Sequence, residues 1–190
     1  MSAKAKKDCP REFDFALIVG NIHELTQDVE DSLFKAGCDD GTLSIQYGLL
    51  YIEFSRLASS LEEAMISAIH DVHSAGINAQ VRRVDECNLV TAADIARRMG
   101  RSRQMVHQYI TGKRGPGGFP APECHLTEGY PLWPWYAVSH WLVQNNLIRP
   151  EESMNAEVVD AINDALDRLW ETSDYSQRIK KITQELQPQQ

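Results

Sequence analysis

The sequence predicts an α+β chain in three parts: a βαββαβ module, a middle pair of short helices joined by a glycine, and C-terminal helices. Three observations predict it. Apolar residues alternate between period two and helical spacing over residues 13–84; "TAADIARRMGRSRQMVHQYI" (91–110) breaks into two capped helices; and after Pro150 only helical spacing recurs. The charge divides in the same places. Residues 1–88 carry 8 basic and 15 acidic groups (net −7), residues 89–149 carry 7 and 3 (net +4), and residues 150–190 carry 4 and 9 (net −5).

In the first part, "FDFALIV" (13–19) places Phe13, Phe15, Leu17 and Val19 on one face of a strand. A helix follows over 26–37, with Leu25, Val29, Leu33 and Ala36 on one side, Asp28 in its first turn and Gly37 at its stop. "TLSIQYGLLYIEF" (42–54) reads as a hairpin turning near Gly48. Over 60–76 the spacing predicts a helix opened by a Ser60–Glu63 capping box, striped by Leu61, Ala64, Met65, Ala68, Ile69 and Val72, and ended by Gly76. "INAQVRRV" (77–84) closes with a strand. The order βαββαβ is that of the ferredoxin-like split motif, expected over residues 1–86. That architecture carries no function by itself. His70 and His73 could share a metal but read better as solvated surface histidines, and "CDDG" (38–41) reads as a loop. A dimerisation or sensing role suits this module.

Composition sets bounds on function. With 190 residues, 43% apolar and 24% charged, the chain has the make-up of a globular protein. No apolar run approaches the ~20 residues of a membrane helix. The basic start "MSAKAKKDCPREF" leads into no hydrophobic segment, so a cytoplasmic protein without a membrane partner is expected. Cys9, Cys38, Cys87 and Cys124 are scattered and read as free thiols. Cys124 beside His125 is a poor match to zinc spacing, so neither a metal nor another cofactor is expected. No nucleophile lies near a base and no glycine-rich phosphate loop follows a strand, which argues against an enzyme.

The positive charge is concentrated in "IARRMGRSRQMVHQYITGKRG" (95–115), six Lys or Arg with no Asp or Glu. Thr91 and Asp94 cap the first helix, whose Ala92, Ile95, Ala96 and Met99 face inward. Gly100 makes the turn, and Ser102 caps a second helix with Met105, Val106, Tyr109 and Ile110 inward. Gln104, His107, Gln108 and Thr111 then face outward, with Arg103 at their flank. This pattern looks like a helix-turn-helix, whose second helix enters a major groove of DNA. Arg103 can pair with guanine, Gln104 or Gln108 with adenine, and His107 shares their face. Arg97, Arg98, Arg101, Ser102, Thr111, Lys113 and Arg114 would meet the DNA backbone.

Beyond it, Phe119 and Leu132 or Trp133 are expected to form two short strands around a wing, and Trp135–Gln144 a helix. Trp133, Trp135 and Trp141 are expected in the core, among Val138 and Leu142. The succession of turn helix, "GFPAP", hairpin, "LWPWYAV" and "HWL" resembles the winged helix-turn-helix DNA-binding domains of the AlpA/excisionase type, in the MerR-like group, over about 89–147. The resemblance implies that Lys113, Arg114 and the glycine loop lie near the DNA backbone or minor groove; the loop 121–131 is longer than that family's compact wing.

The third part, 150–190, is acidic. Residues 150–172 repeat Val158, Ile162, Ala165 or Leu166, and Leu169 at helical spacing, and "DYSQRIKKITQEL" adds Tyr175, Ile179, Ile182 and Leu186. These helices are expected to pack on their own chain, to form a dimer or to hold a protein partner, with "QPQQ" (187–190) frayed. Taken together, the sequence predicts a dimeric, sequence-specific DNA-binding regulator, most simply a repressor of its own operon. The alternatives are an antitoxin-like regulator that also binds a protein, or a phage-type architectural or packaging DNA-binding protein.

Overall fold

A computed structural model describes residues 9–186; the terminal "QPQQ" lies outside them. The elements run β1 (Arg11–Gly20), α1 (Gln27–Ala36), β2 (Gly41–Gln46), β3 (Leu49–Ala58), α2 (Leu61–Ser74), β4 (Gln80–Val84), β5 (Leu89–Val90), α3 (Ala92–Arg98), α4 (Arg103–Ile110), β6 (Trp133–Pro134), α5 (Trp135–Gln144), α6 (Pro150–Leu169) and α7 (Ser173–Leu186). The fold is mixed α+β. Its main sheet has four antiparallel strands in the order β2-β3-β1-β4, with Leu17 opposite Ile52 on one side and Val84 on the other.

Alternation decides which face of that sheet is covered. Leu17 and Val19 of β1 and Leu50, Ile52 and Phe54 of β3 are buried together, Phe13 is buried with Ala58 and Ala64 in a smaller cluster, and Glu53, Ser55 and Leu57 face solvent. The β2–β3 hairpin turns at Tyr47 and Gly48, both at positive φ (52° and 78°), the pair of conformations a two-residue turn needs to follow strand twist. Helices α1 and α2 start where the caps lie: Thr26 accepts from the Val29 N–H and Ser60 from the Glu63 N–H. The Ser60–Glu63 capping box is not reciprocal as expected. The Glu63 carboxylate instead accepts from the Ser59 N–H at 3.0 Å and from the Ser59 hydroxyl, one residue upstream.

One buried cation organises the loop "CDDG". Arg56, on the covered face of β3, donates to Asp40 at 2.8 and 2.9 Å, to Asp71 at 2.6 Å and to the Gly37 carbonyl at 2.8 Å. It thereby joins the end of α1, the start of β2 and α2. These hydrogen bonds and carboxylates hold its pKa above the ordinary arginine value.

Two sequence expectations need correction here. His73 is not solvated: its Nε2 accepts from the Val81 N–H at 3.2 Å and its ring meets Trp170 edge-on at 5.6 Å. Burial first, and the neighbouring His70 second, push its pKa down. The second correction concerns α6. Of the stripe that the spacing suggested, Leu166 is buried and Val158 and Ile162 are half-buried against the core, but the fully buried side also takes in Ala156, Val159 and Asn163, one step round. Val159 and Leu166 join the core under the sheet, and Ala156 joins the core of the middle part. Leu169, from the expected stripe, is 60% exposed.

Asn163 is the polar member of the buried side, and its contacts explain why it is tolerated there. Its Oδ1 accepts from the Val84 N–H at 2.8 Å, and its Nδ2 donates to Asn88 Oδ1 at 3.2 Å. β4 lies at the border of the sheet, so α6 covers an edge that would otherwise expose unpaired backbone groups. Trp170, just past α6, fastens the same strand by donating its indole N–H to the Val81 carbonyl at 2.6 Å.

Candidate nucleic-acid interface

Local sequence builds the two central helices. Thr91 and Asp94 form a reciprocal capping box at the start of α3, which lowers the Asp94 pKa chiefly through the Thr91 hydroxyl and backbone N–H. Gly100 follows at φ +61°, a conformation open to glycine, and Arg101 N–H closes the turn onto the Ala96 carbonyl at 2.9 Å. Ser102 then caps α4 by accepting from the Met105 N–H. Ile95, Ala96, Val106 and Tyr109 are buried between these helices and α5, with Ala92, Met99, Met105 and Ile110 half-buried around them.

With those side chains inward, the opposite face of α4 is left to solvent. Arg101, Ser102, Arg103, Gln104, His107, Thr111, Lys113 and Arg114 are exposed, and Gln108 is half-buried. Among the described residues, Arg101, Arg103, Lys113 and Arg114 form no salt bridge. The first turn of α4 holds no acidic residue, so the positive end of its helix dipole adds to that of the side chains. Thr111 turns its hydroxyl back to the His107 carbonyl at 2.8 Å.

Two arginines of the expected set are engaged elsewhere. Arg97 is exposed, but its Nη2 donates to Asp94 at 2.7 Å. Arg98 leaves the group altogether: its guanidinium lies 4.7 Å from the Trp135 ring centroid and 3.9 Å from Glu86. A cation held over an aromatic face in this way fixes α3 against α5 and the linker after β4.

The glycine-rich segment carrying Lys113 and Arg114 is fastened by the tryptophans. Trp141 donates its indole N–H to the Gly117 carbonyl and Trp133 to the Pro120 carbonyl, both at 3.1 Å. Buried indoles need such acceptors, and here a loop with little secondary structure supplies them. Phe119 packs edge-on against Trp141 at 5.0 Å, and Tyr109 against the same ring at 5.5 Å. Gly115, at φ +80°, crosses so close to Tyr109 that a Cβ there would sit 3.1 Å from its ring.

The hairpin beyond this loop differs from expectation. Phe119 lies in no strand; the chain pairs at Cys124 and Leu132, and Trp133–Pro134 pairs with Leu89–Val90, a short strand the sequence reading lacked. Trp133, Trp135 and Trp141 are buried, as expected. At the hairpin tip, His125 Nδ1 meets Glu128 at 2.9 Å. Among the described residues, no three His, Cys, Asp or Glu side chains are placed to hold a metal ion, and no helix is long and apolar enough to cross a membrane.

The tryptophan clasp and the course of Arg98 are the features that sequence reasoning missed. A signal for the first was present, because buried Trp133 and Trp141 beside a Gly/Pro-rich run imply that loop carbonyls accept their N–H groups. No family model, curated protein or solved structure matches this chain.

Proposed function

We propose that the protein is a sequence-specific DNA-binding transcriptional regulator that reads the major groove with α4. The observation that carries this reading is the exposed face of α4. Arg101 and Arg103, beside Gln104 and His107 and continued by Lys113 and Arg114, concentrate cations that have no salt-bridge partner among the described residues, in a chain of net charge −8. A protein repelled by polyanions as a whole gathers such a face where a polyanion must be held locally. Arg103 and Gln104 stand in the first turn, the part of a recognition helix that reaches base edges; Gln108 follows one turn on. Arg101, Ser102, Thr111, Lys113 and Arg114 take the phosphates, Arg97 joins them by exchanging Asp94 for phosphate, and Arg98 serves packing.

The capped α3–turn–α4 unit, with β5–β6 and the 123–132 pairing behind it, supports the winged-helix reading. The strand order β2-β3-β1-β4 supports the ferredoxin-like one. The role is binding rather than catalysis, in the cytoplasm, and a homodimer would set two α4 helices about one DNA turn, ~34 Å, apart.

The test is a salt-titrated binding assay with the DNA upstream of the protein's own coding sequence and a scrambled fragment of equal length. Tighter binding to the upstream fragment, with a log–log salt slope reflecting on the order of five phosphate contacts per chain, is the expected result. Equal binding to both fragments would replace regulation with an architectural role. Absence of binding to either would refute the DNA interface.

A further inference from the structure

The last two helices carry an apolar surface that one copy of the chain leaves uncovered on both of its sides. On α7, Tyr175, Ile179, Ile182 and Leu186 fall on one stripe and are 56%, 38%, 46% and 78% exposed. Every other described side chain of α7 is exposed except Ser176. A 14-residue helix with no packed face is marginal in water, so α7 needs a surface to lie on. Between α2 and α6 runs an open groove of about 700 Å³, lined by Ile66, Ile69, Val158, Ala161, Ile162 and Leu169. It is the partly covered flank of α6: Val158 and Ile162 are half-buried against the core, while Ala161 and Leu169 are exposed.

We propose that α7 of one copy docks in the α2–α6 groove of a second copy, and that the exchange is reciprocal, closing a two-fold dimer. Three observations select this occupant. The α7 stripe spans about 16 Å at 1.5 Å per residue, within the roughly 22 Å that α6 presents from Met154 to Leu169. The charges are complementary: α7 has three basic and two acidic groups, whereas α6 has one and six, and Glu62 and Glu157 border the groove. Among the described residues, none of α7 lines the groove of its own chain, and the junction that leads into α7 is fixed. Trp170 is fixed to Val81, Thr172 caps α7 at the Tyr175 N–H, and the Ser176 hydroxyl donates to Glu171 at 2.9 Å. Reciprocal insertion into an identical neighbour satisfies both surfaces with a closed, isologous interface. The interface does not depend on whether α4 binds DNA.

The experiment is size-exclusion chromatography with light scattering on the full chain, repeated on two variants. Ile179→Glu/Ile182→Glu alters the stripe, and Ala161→Glu alters the groove at an exposed position. The native chain is expected at about 43 kDa, twice its 21.5 kDa, and each variant at the monomer mass, with helical circular dichroism lowered by no more than the 14 residues of α7 account for. A monomeric native chain would overturn the proposal, because α7 would then fold back or stay free. So would a dimer that survives Ala161→Glu, because its interface would lie elsewhere.

Discussion

Replacing Asn163 by leucine tests whether α6 is stitched to the sheet or only lies on it. The side chains are similar in size, so packing changes little, but Asn163→Leu removes the acceptor for the Val84 N–H and the donor to Asn88. Val84 is 1% exposed, so water cannot replace the acceptor without opening the junction. An orphaned buried N–H costs ~1–3 kcal/mol; the Asn88 bond lies at a wetter site and adds little. Taking ~2 kcal/mol and 2–4 °C per kcal/mol for a chain of this size, Tm falls by roughly 4–8 °C. Calorimetry and urea titration check this, the latter by a shift in midpoint with unchanged slope. Asp164→Leu, one residue on and exposed, is the control and stays within about 0.5 kcal/mol. A melting temperature for Asn163→Leu as close to native as that of the control would refute the edge-capping argument.

Three further outcomes follow from the geometry. Arg103→Ala weakens operator binding by ~1–3 kcal/mol and relaxes sequence preference, Arg101→Ala lowers the salt slope by about one, and Arg98→Ala leaves that slope unchanged while lowering Tm; fluorescence anisotropy at several salt concentrations separates the three. Gly115→Val keeps every charge but must move Tyr109 or the loop, so DNA affinity falls together with the protection of the Trp133 and Trp141 indole protons in hydrogen exchange. His73 has a folded pKa below its unfolded value, so the unfolded chain binds the extra proton first. Stability is therefore retained above the unfolded pKa of ~6.5 and declines as pH falls below it, and His73→Gln, which keeps an acceptor for Val81, flattens the drop in urea midpoint between pH 7 and 5.

Legibility in the sequence followed the range of the interactions involved. The caps Ser60, Thr91 and Ser102 and the helix Trp135–Gln144 were readable because they depend on neighbours within a few positions. The inward and outward sides of α4 were readable for the same reason, since Val106 and Tyr109 repeat at helical spacing. Arg98 was not, because its direction is set by Trp135, far along the chain, and a basic residue on a short helix looks the same whether it faces phosphate or an indole. The wing was misread at Phe119 because aromatic β-propensity was outweighed by tertiary contacts with Trp133 and Trp141. On α6 the apolar residues spread over adjoining faces, and periodicity selected a stripe that the chain covers only in part. The asparagine that marks the covered face looks like an interruption until its partner 79 positions away is known.

That separation also bears on how the chain is made. Strand β4 is complete at Val84, but the helix that shields its outer border arrives only after the whole middle part has been translated. At 5–20 residues per second, 79 residues take about 4–16 s, long enough for the earlier module to collapse around α1 and α2 with one margin of its sheet bare. During that interval the nascent chain presents an unpaired strand to its neighbours on the same polysome, and only the arrival of Asn163 withdraws the invitation.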